Sequence, residues 1–218
     1  MPRLLLASGS PRRSELLQLL GVPFQIIVPH IHEETVRCAS GAKLASMLAE
    51  MKALSVEGQT DEDIIVGADT VVVLRGQILG KPADAASARN MLAGLRRGAH
   101  QVITGLAVVR PGISSPLVQA VETKVWMRRY GDEEIAQYIA RGEPFDKAGA
   151  YAIQDPEFRP VERLQGCYAN VVGLPLCHLF AILKRLHLSL TEPPRAACEA
   201  HTGRSCAVAD GILGSGSR

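Results

Sequence analysis

Aromatic side chains are scarce in this chain: Phe, Trp and Tyr together make up 4% of its 218 residues, and there is one tryptophan. A core with so few rings must be assembled from Leu, Val, Ile and Ala, which favours layered α/β packing over an aromatic-rich β-sandwich. Charge of one sign is scarce too. Lys and Arg number 24 against 22 Asp and Glu, leaving a net charge of +2. Such a balance supplies no broad basic face, so neither nucleic acid nor a membrane surface is expected as a partner. No apolar run reaches the length of a membrane span. Leu4, Leu5 and Leu6 begin one, but residues 8–13 end it before a signal-peptide core can develop. Cysteine is sparse and odd in number, at Cys38, Cys167, Cys177, Cys198 and Cys206. That usage points to reduced thiols and a cytoplasmic location rather than a disulfide framework.

What is present is aliphatic. Hydrophobic residues make up 47% of the chain, enough to fill one large domain or two small lobes sharing a cleft. Residues 3–7 predict a buried strand. A helix follows, with Ser10 as N-cap, Pro11 at its first position and Gly21 at its end. Residues 24–28 predict a second strand. Leu44, Met47, Leu48 and Met51 recur at helical spacing over residues 41–56. Residues 63–68 and 70–74 are apolar and β-branched, and Arg75-Gly76-Gln77 reads as a hairpin turn. Asp84 and Asp132 each open a helix. Residues 101–109 and 117–127 predict two long antiparallel strands joined at Pro111-Gly112. Residues 168–172 predict a short strand, and Pro175 starts a final helix to about residue 188. Beyond Pro193-Pro194 the sequence turns small and polar. Residues 1–190 are therefore expected to form the functional domain, and residues 191–218 a flexible C-terminal tail with little packing of its own.

Four motifs carry chemistry. Ser8-Gly9-Ser10-Pro11-Arg12-Arg13 leaves a strand and enters a helix, so free N–H groups, two hydroxyls and two guanidiniums can gather on an anion. It lacks the spacing of a Walker A loop, and a capped helix with a solvated arginine pair explains it equally well. In Gly67-Ala68-Asp69-Thr70-Val71-Val72 a carboxylate interrupts an apolar strand, where it needs a cation, a cavity or a neighbouring turn to cap. Lys52, Lys81 in Gly80-Lys81-Pro82, and Lys147 in Asp146-Lys147-Ala148-Gly149 form a set of lysines in small motifs. Solvation is their ordinary fate, although Pro82 stiffens the backbone at Lys81. Ala148-Gly149-Ala150-Tyr151-Ala152-Ile153-Gln154 offers small residues for close approach and an amide able to read a base edge, or else a tight strand junction.

Taken in order, these segments resemble the Maf family of nucleoside triphosphate pyrophosphatases from residue 3 to about 188. Val102-Ile103-Thr104-Gly105, Glu143-Pro144-Phe145-Asp146-Lys147-Ala148-Gly149-Ala150-Tyr151 and Asn170-Val171-Val172-Gly173-Leu174-Pro175 complete the match. The resemblance implies a Maf/ITPase-like α/β fold: an elongated mixed sheet flanked by helices, with two lobes around a deep cleft and homodimers common. It implies that Ser8, Ser10, Arg12 and Arg13 hold the triphosphate, with Lys52 and Lys81 neutralising it further. Asp69 would be the general base. Glu33, or its neighbour Glu34, would lie with Asp69 beside a divalent cation, Mg²⁺ or Mn²⁺. Thr70 and Gln154, often grouped with Arg12, would bear on base choice. The segment ending at Gln154 is similar to the branch acting on dTTP and UTP, but Asp155-Pro156 stands where many relatives carry Gly, which leaves the loop to Gly166 and the base preference open.

Other readings remain at this level. The family is associated with arrest of septum formation, so the chain could be a regulatory nucleotide-binding protein. It could also be a pyrophosphatase for modified or non-canonical nucleotides. Cys198, His201 and Cys206, with Cys177 and His178 further back, could bind zinc, although their spacing is not that of a standard finger. His30 and His32 adjoin Glu33, where a surface or packing role is the favoured reading.

Overall fold

The computed structural model describes residues 3–57, 63–96 and 98–214. In chain order its elements are β1 (Leu4–Ala7), α1 (Pro11–Gln18), β2 (Phe24–Ile27), α2 (Gly41–Leu54), β3 (Ile64–Leu74), β4 (Gln77–Leu79), α3 (Ala85–Leu95), β5 (Ala99–Val109), β6 (Leu117–Met127), α4 (Asp132–Ala140), β7 (Val161–Gln165), α5 (Tyr168–Val172), α6 (Leu176–Arg185), α7 (Arg195–Thr202) and α8 (Ala209–Leu213). The strands form one seven-stranded mixed sheet in the order β2-β1-β3-β5-β6-β7, with β4 also paired to β3. β1 runs parallel to both β2 and β3, and the other pairs are antiparallel. Parallel neighbours need crossovers, which α1 and α2 supply. The mixed α/β class expected from the aliphatic core is the one found. No helix among the described residues is long and apolar enough to cross a membrane.

Register places the opening in the sheet. β1 pairs with β3 only as far as Ala7 opposite Gly67. β4 joins the same edge only from Leu79 opposite Val72. Residues 68–71 of β3 lie between those two partners, while their other edge is fully paired to β5. A cavity can form there without breaking the main ladder.

One sheet face is covered by two aliphatic clusters. Ile64, Val66 and Ala68 pack with Leu106, Val108 and residues of α1, α5 and α6. Val72, Val102, Val125 and Met127 pack with residues of α3 and α4. The opposite face belongs to α2. Of the apolar residues that mark this helix only Leu48 lies on its buried side: Leu44, Met47 and Met51 are only half-buried, whereas Gly41, Ala45, Leu48, Ala49, Lys52 and Ala53 are buried. The sheet explains why. A Cβ on Gly67 would lie 2.1 Å from the Ala49 carbonyl oxygen, and one on Gly105 would lie 2.2 Å from that of Ala45. The helix therefore sits directly on glycine backbone and must present small residues at every fourth position.

Two expectations are corrected. Residues 168–172 form α5, not a strand: the β-branched pair Val171-Val172 suggested extension, but buried Asn170 spends its amide on the Val102 carbonyl and the Thr123 hydroxyl, which anchors a helical turn against the sheet. The segment after Thr191 does pack as far as residue 214; residues 215–218 of the expected tail lie outside the described residues. α7 and α8 bury Cys198 and Ala209, and Cys198 joins the cluster containing Cys167 and Phe180. Arg204 lies over the Tyr168 ring at 5.3 Å. Polar composition concealed a few well-placed small residues.

Two outcomes follow. Gly67→Ala should destabilise the protein by about 3 kcal/mol or more, because backbone rather than a movable side chain blocks the new methyl group; thermal unfolding would show a melting temperature lower by roughly 10 °C. Deletion of residues 191–218 should lower it by roughly 5 °C, since apolar surface over α6 is uncovered. An unchanged melting temperature would mean that the α7–α8 packing contributes nothing to stability.

Candidate active site

The opening beside residues 68–71 leads into a cavity of about 570 Å³. Ser10, Arg12, Arg13, Glu33, Lys52, Asp69, Thr70, Lys81 and Gln154 all line it. Ser8 lies behind this wall: it is 3% exposed, and its Oγ accepts hydrogen bonds from the Ser10 N–H and the Arg13 guanidinium. Its place is to hold the arginine rather than to reach into the cavity.

Arg13 comes from the first turn of α1. Nε donates to the Gly173 carbonyl at 3.0 Å, Nη1 to Ser8 Oγ at 3.2 Å and Nη2 to Thr70 Oγ1 at 3.2 Å. Three of its five N–H groups are thus fixed by neutral acceptors, and among the described residues no carboxylate is in direct contact with the cation. Burial lowers its pKa, opposed by the fields of Asp69 and Glu33; a guanidinium remains charged under such pressure. A rigid, charged fork held only by neutral acceptors has the chemistry to take an anion. Ser10 caps α1 by backbone conformation only, with no side-chain cap bond.

Asp69 and Lys52 form the floor. Asp69 points to the α2 side of β3, opposite Gly105. Close packing of α2 brings Lys52 Nζ to 2.6 Å from Asp69 Oδ1 and 2.8 Å from Glu33 Oε1. Glu33 comes from a 3₁₀ turn, Glu33–Thr35. Burial works against its charge, but the hydrogen bond from Lys52 and the fields of Lys52, Lys81 and Arg13 prevail and hold it below the usual carboxylate range. Two carboxylates converging on one cationic point form a donor set of the kind that suits a hard divalent ion sharing oxygen ligands with a phosphate chain.

The far wall is the Lys147–Tyr151 turn. Gly149 has φ 70° and its N–H donates to the Gly80 carbonyl at 3.0 Å, while a Cβ there would press on Val72 at 3.0 Å. The turn is thereby tied to the Gly80-Lys81-Pro82 segment. Asp146 reaches Arg12 across the cavity at 3.2 Å and takes Lys147 Nζ at 2.7 Å. Burial opposes the Asp146 charge, but Lys147 and Arg12 keep its pKa below the ordinary range. Gln154 lies exposed at the rim.

Sequence reasoning left three groups unassigned. Lys147 is buried and lines the cavity, although it stood out only as one of several lysines. Thr104 and Asn170 continue the hydrogen-bond chain behind Thr70; both fall in matched segments whose residue types alone suggested no chemistry. His100 lies buried beneath the cavity wall, with Nε2 2.7 Å from the Tyr151 hydroxyl. Nothing at sequence level pairs residues so far apart. The Cys198–His201–Cys206 reading gains no support: among the described residues no group of three or more His, Cys, Asp or Glu side chains is placed to hold a metal ion. Burial instead pushes the Cys167 and Cys177 thiols up to about 11 and about 12.

His100 generates a pH prediction. Burial lowers its pKa from 6.5 to about 4. A folded-state value below the unfolded one means that the unfolded chain binds the proton first, so stability is intact above pH 6.5 and falls as pH drops toward 4. The loss attributable to this side chain should reach about 3 kcal/mol. Denaturant unfolding of the wild type and of His100→Gln at neutral and acid pH should show that part of the acid sensitivity missing from the variant.

Comparison with known proteins accords with this geometry. A family model described as Maf-like protein matches residues 3–186. The dTTP/UTP pyrophosphatase of Alkaliphilus metalliredigens is 47% identical over 87% of this chain and 100% of its own length. That of Geobacter sulfurreducens is 47% identical over 84% of this chain and 96% of its own length. The dTTP/UTP pyrophosphatase of Dictyoglomus thermophilum is 45% identical over 86% of this chain and 97% of its own length. The cavity beside β3, the serine–arginine entry to α1 and these near full-length matches place the chain in one family: it belongs to the Maf-like proteins.

Proposed function

We propose that this protein hydrolyses dTTP and UTP to the nucleoside monophosphate and pyrophosphate. The observation that carries the reading is a buried carboxylate, Asp69, in the wall of a cavity that also presents Arg12, Arg13, Lys52 and Lys81. Near full-length similarity to proteins named dTTP/UTP pyrophosphatase supports the substrate class.

Arg13, Arg12 and Ser10 bind the phosphate chain at the start of α1, where backbone N–H groups add to the field. Lys81 approaches from the opposite wall. Asp69 takes a proton from the water that attacks the α-phosphorus; Lys52 occupies its Oδ1 and orients the carboxylate, so the other oxygen is the one that receives the proton. The same lysine and both arginines offset negative charge as pyrophosphate leaves. A divalent cation, Mg²⁺ or Mn²⁺, would be held by Glu33 and Asp69 together with phosphate oxygens, and supplies Lewis-acid stabilisation of the phosphoryl charge. Gln154, at the rim, contacts the base.

A nucleotide panel with separate detection of pyrophosphate and orthophosphate should show dTTP and UTP ahead of ATP, GTP and 7-methyl-GTP in kcat/KM. In ¹⁸O-labelled water the label should enter the monophosphate. Label in pyrophosphate would instead place attack at the β-phosphorus. Saturable binding without any product would favour a regulatory nucleotide-binding protein. Asp69→Asn should lower kcat on the order of 10²-fold with little change in KM; recovery on adding metal would show that the carboxylate acts only by holding the ion and does not take the proton.

A further inference from the structure

The C-terminal extension brings its two cysteines against two of the core. The match to the family model ends at residue 186. Cys198 and Cys206 lie beyond it, the first in α7 and the second between α7 and α8. Cys198 belongs to the same hydrophobic cluster as Cys167, and Val208 packs against that cluster. Arg204 lies over the Tyr168 ring at 5.3 Å, so the chain two residues before Cys206 touches the residue next to Cys167. The electrostatics agree with this packing. The fields of Cys206 and Cys198 reach Cys167, and those of Cys167, Cys206 and Cys198 reach Cys177. Such fields are felt over about 10 Å, so four free thiols share one small volume where the extension meets α5 and α6.

The four differ in access and in anchorage. Cys167, Cys177 and Cys198 are buried, whereas Cys206 is half-buried. Burial keeps the Cys167 and Cys177 thiols protonated, so neither begins a reaction as a thiolate. Of the four, Cys206 is the one a small solute can meet. Cys167 is fixed to the sheet: its N–H donates to Thr123 Oγ1 at 3.0 Å and its carbonyl accepts from the same hydroxyl at 3.1 Å. Cys206 is held by the extension itself, through its N–H to Glu199 Oε1 at 2.7 Å. An accessible thiol carried on one segment, above a buried thiol fixed on another, is the arrangement of an entry cysteine and its resolving partner.

We propose that Cys206 and Cys167 are a peroxide-sensitive thiol pair whose disulfide bolts the C-terminal extension to the start of α5. Hydrogen peroxide transfers one oxygen to the Cys206 sulfur, giving the sulfenic acid and one water. The Cys167 sulfur then attacks that sulfur. The S–S bond forms, the S–O bond breaks, and the Cys167 proton leaves with the hydroxyl as a second water. Two thiols and one peroxide thus become one disulfide and two waters, and a thiol reductant reverses the change. Cys198 is carried on the same segment as Cys206, so a bond between those two would tie the extension to itself and leave it unbolted. The pair stands apart from the cavity beside β3 and does not depend on the nucleotide chemistry.

The test uses the full-length protein, reduced, freed of reductant and treated with hydrogen peroxide. Free thiols should fall from five to three, and non-reducing peptide mapping should show Cys167 joined to Cys206. The melting temperature should rise by roughly 5 °C, because the bond closes a long loop in the unfolded chain, and dithiothreitol should restore the original value. Cys206→Ser should abolish both the link and the shift. Cys167→Ser should leave Cys206 as a sulfenic acid that dimedone traps, which a merely structural role for Cys167 would not produce. If that variant fails to fold, Cys167→Ala keeps both backbone bonds and serves instead. A Cys198–Cys206 link, a link between two chains, or a wild-type Cys206 that passes to the sulfinic acid without any link would overturn the proposal. So would stoichiometric zinc in the purified protein that is lost in Cys206→Ser, because the thiols would then be metal ligands.

Discussion

The site depends on how closely α2 can lie against the sheet. Gly67 and Gly105 are neighbours across β3 and β5, and each sits against an α2 carbonyl at a distance no Cβ could share. That contact fixes the height of the helix above the sheet. Lys52, one turn beyond Ala49, then reaches Asp69 with a side chain that is 8% exposed. A helix raised by one methyl group would carry the ammonium away from the carboxylate and leave both charges buried and unpaired, at a cost of several kcal/mol. Backbone packing and charge placement are here a single constraint.

The second determinant is length mismatch among strands. β3 has eleven residues, whereas β1 has four and β4 three. Short partners on one edge of a long strand leave an interval that neither covers. Two faces of β3 meet the cavity in that interval: Asp69 projects toward α2, Thr70 toward α1 and α5. Consecutive residues on a strand point to opposite faces, so adjacent positions can take separate tasks, one paired with buried Lys52 and one in the hydrogen-bond chain. The serine–arginine turn at the end of β1 opens onto the same interval. Ligands of open α/β sheets commonly meet the protein at the carboxyl ends of parallel strands.

Much of this was legible in the sequence, because the strongest signals are local. The aliphatic composition selected the α/β class, Asp84 and Asp132 marked helix starts, and the apolar run broken by Asp69 singled out its carboxylate. Nine of the ten residues picked for the site line the cavity; Ser8 stands one layer behind. What escaped was non-local. The buried side of α2 follows glycines in distant strands and takes in only Leu48 of the apolar residues that marked the helix. α5 is helical because Asn170 finds partners on β5 and β6. The His100–Tyr151 and Thr70–Thr104–Asn170 contacts join segments dozens of residues apart, and no periodicity within either segment reports them. The α7–α8 packing turns on two small buried residues in an otherwise polar stretch, which composition averages away.

Charge pairing explains how so many cations coexist in one cavity before any anion arrives. Lys52 is neutralised by Glu33 and Asp69, Arg12 by Asp146, and Lys147 by Glu143 and Asp146. Arg13 differs: its fixed contacts are with hydroxyls and a carbonyl. Binding a triphosphate is then an exchange at most positions, in which a phosphate oxygen must displace or share a carboxylate, and a direct gain at Arg13. Exchange contributes little net affinity because a partner is lost for each one gained, yet it raises the requirement on the incoming group. A single phosphate can satisfy Arg13 alone. Only a chain long enough to reach Arg12 and Lys52 as well offsets the carboxylates it displaces. The arrangement therefore favours a polyphosphate over its monophosphate product, which is the order of affinities that a hydrolase releasing a nucleoside monophosphate requires.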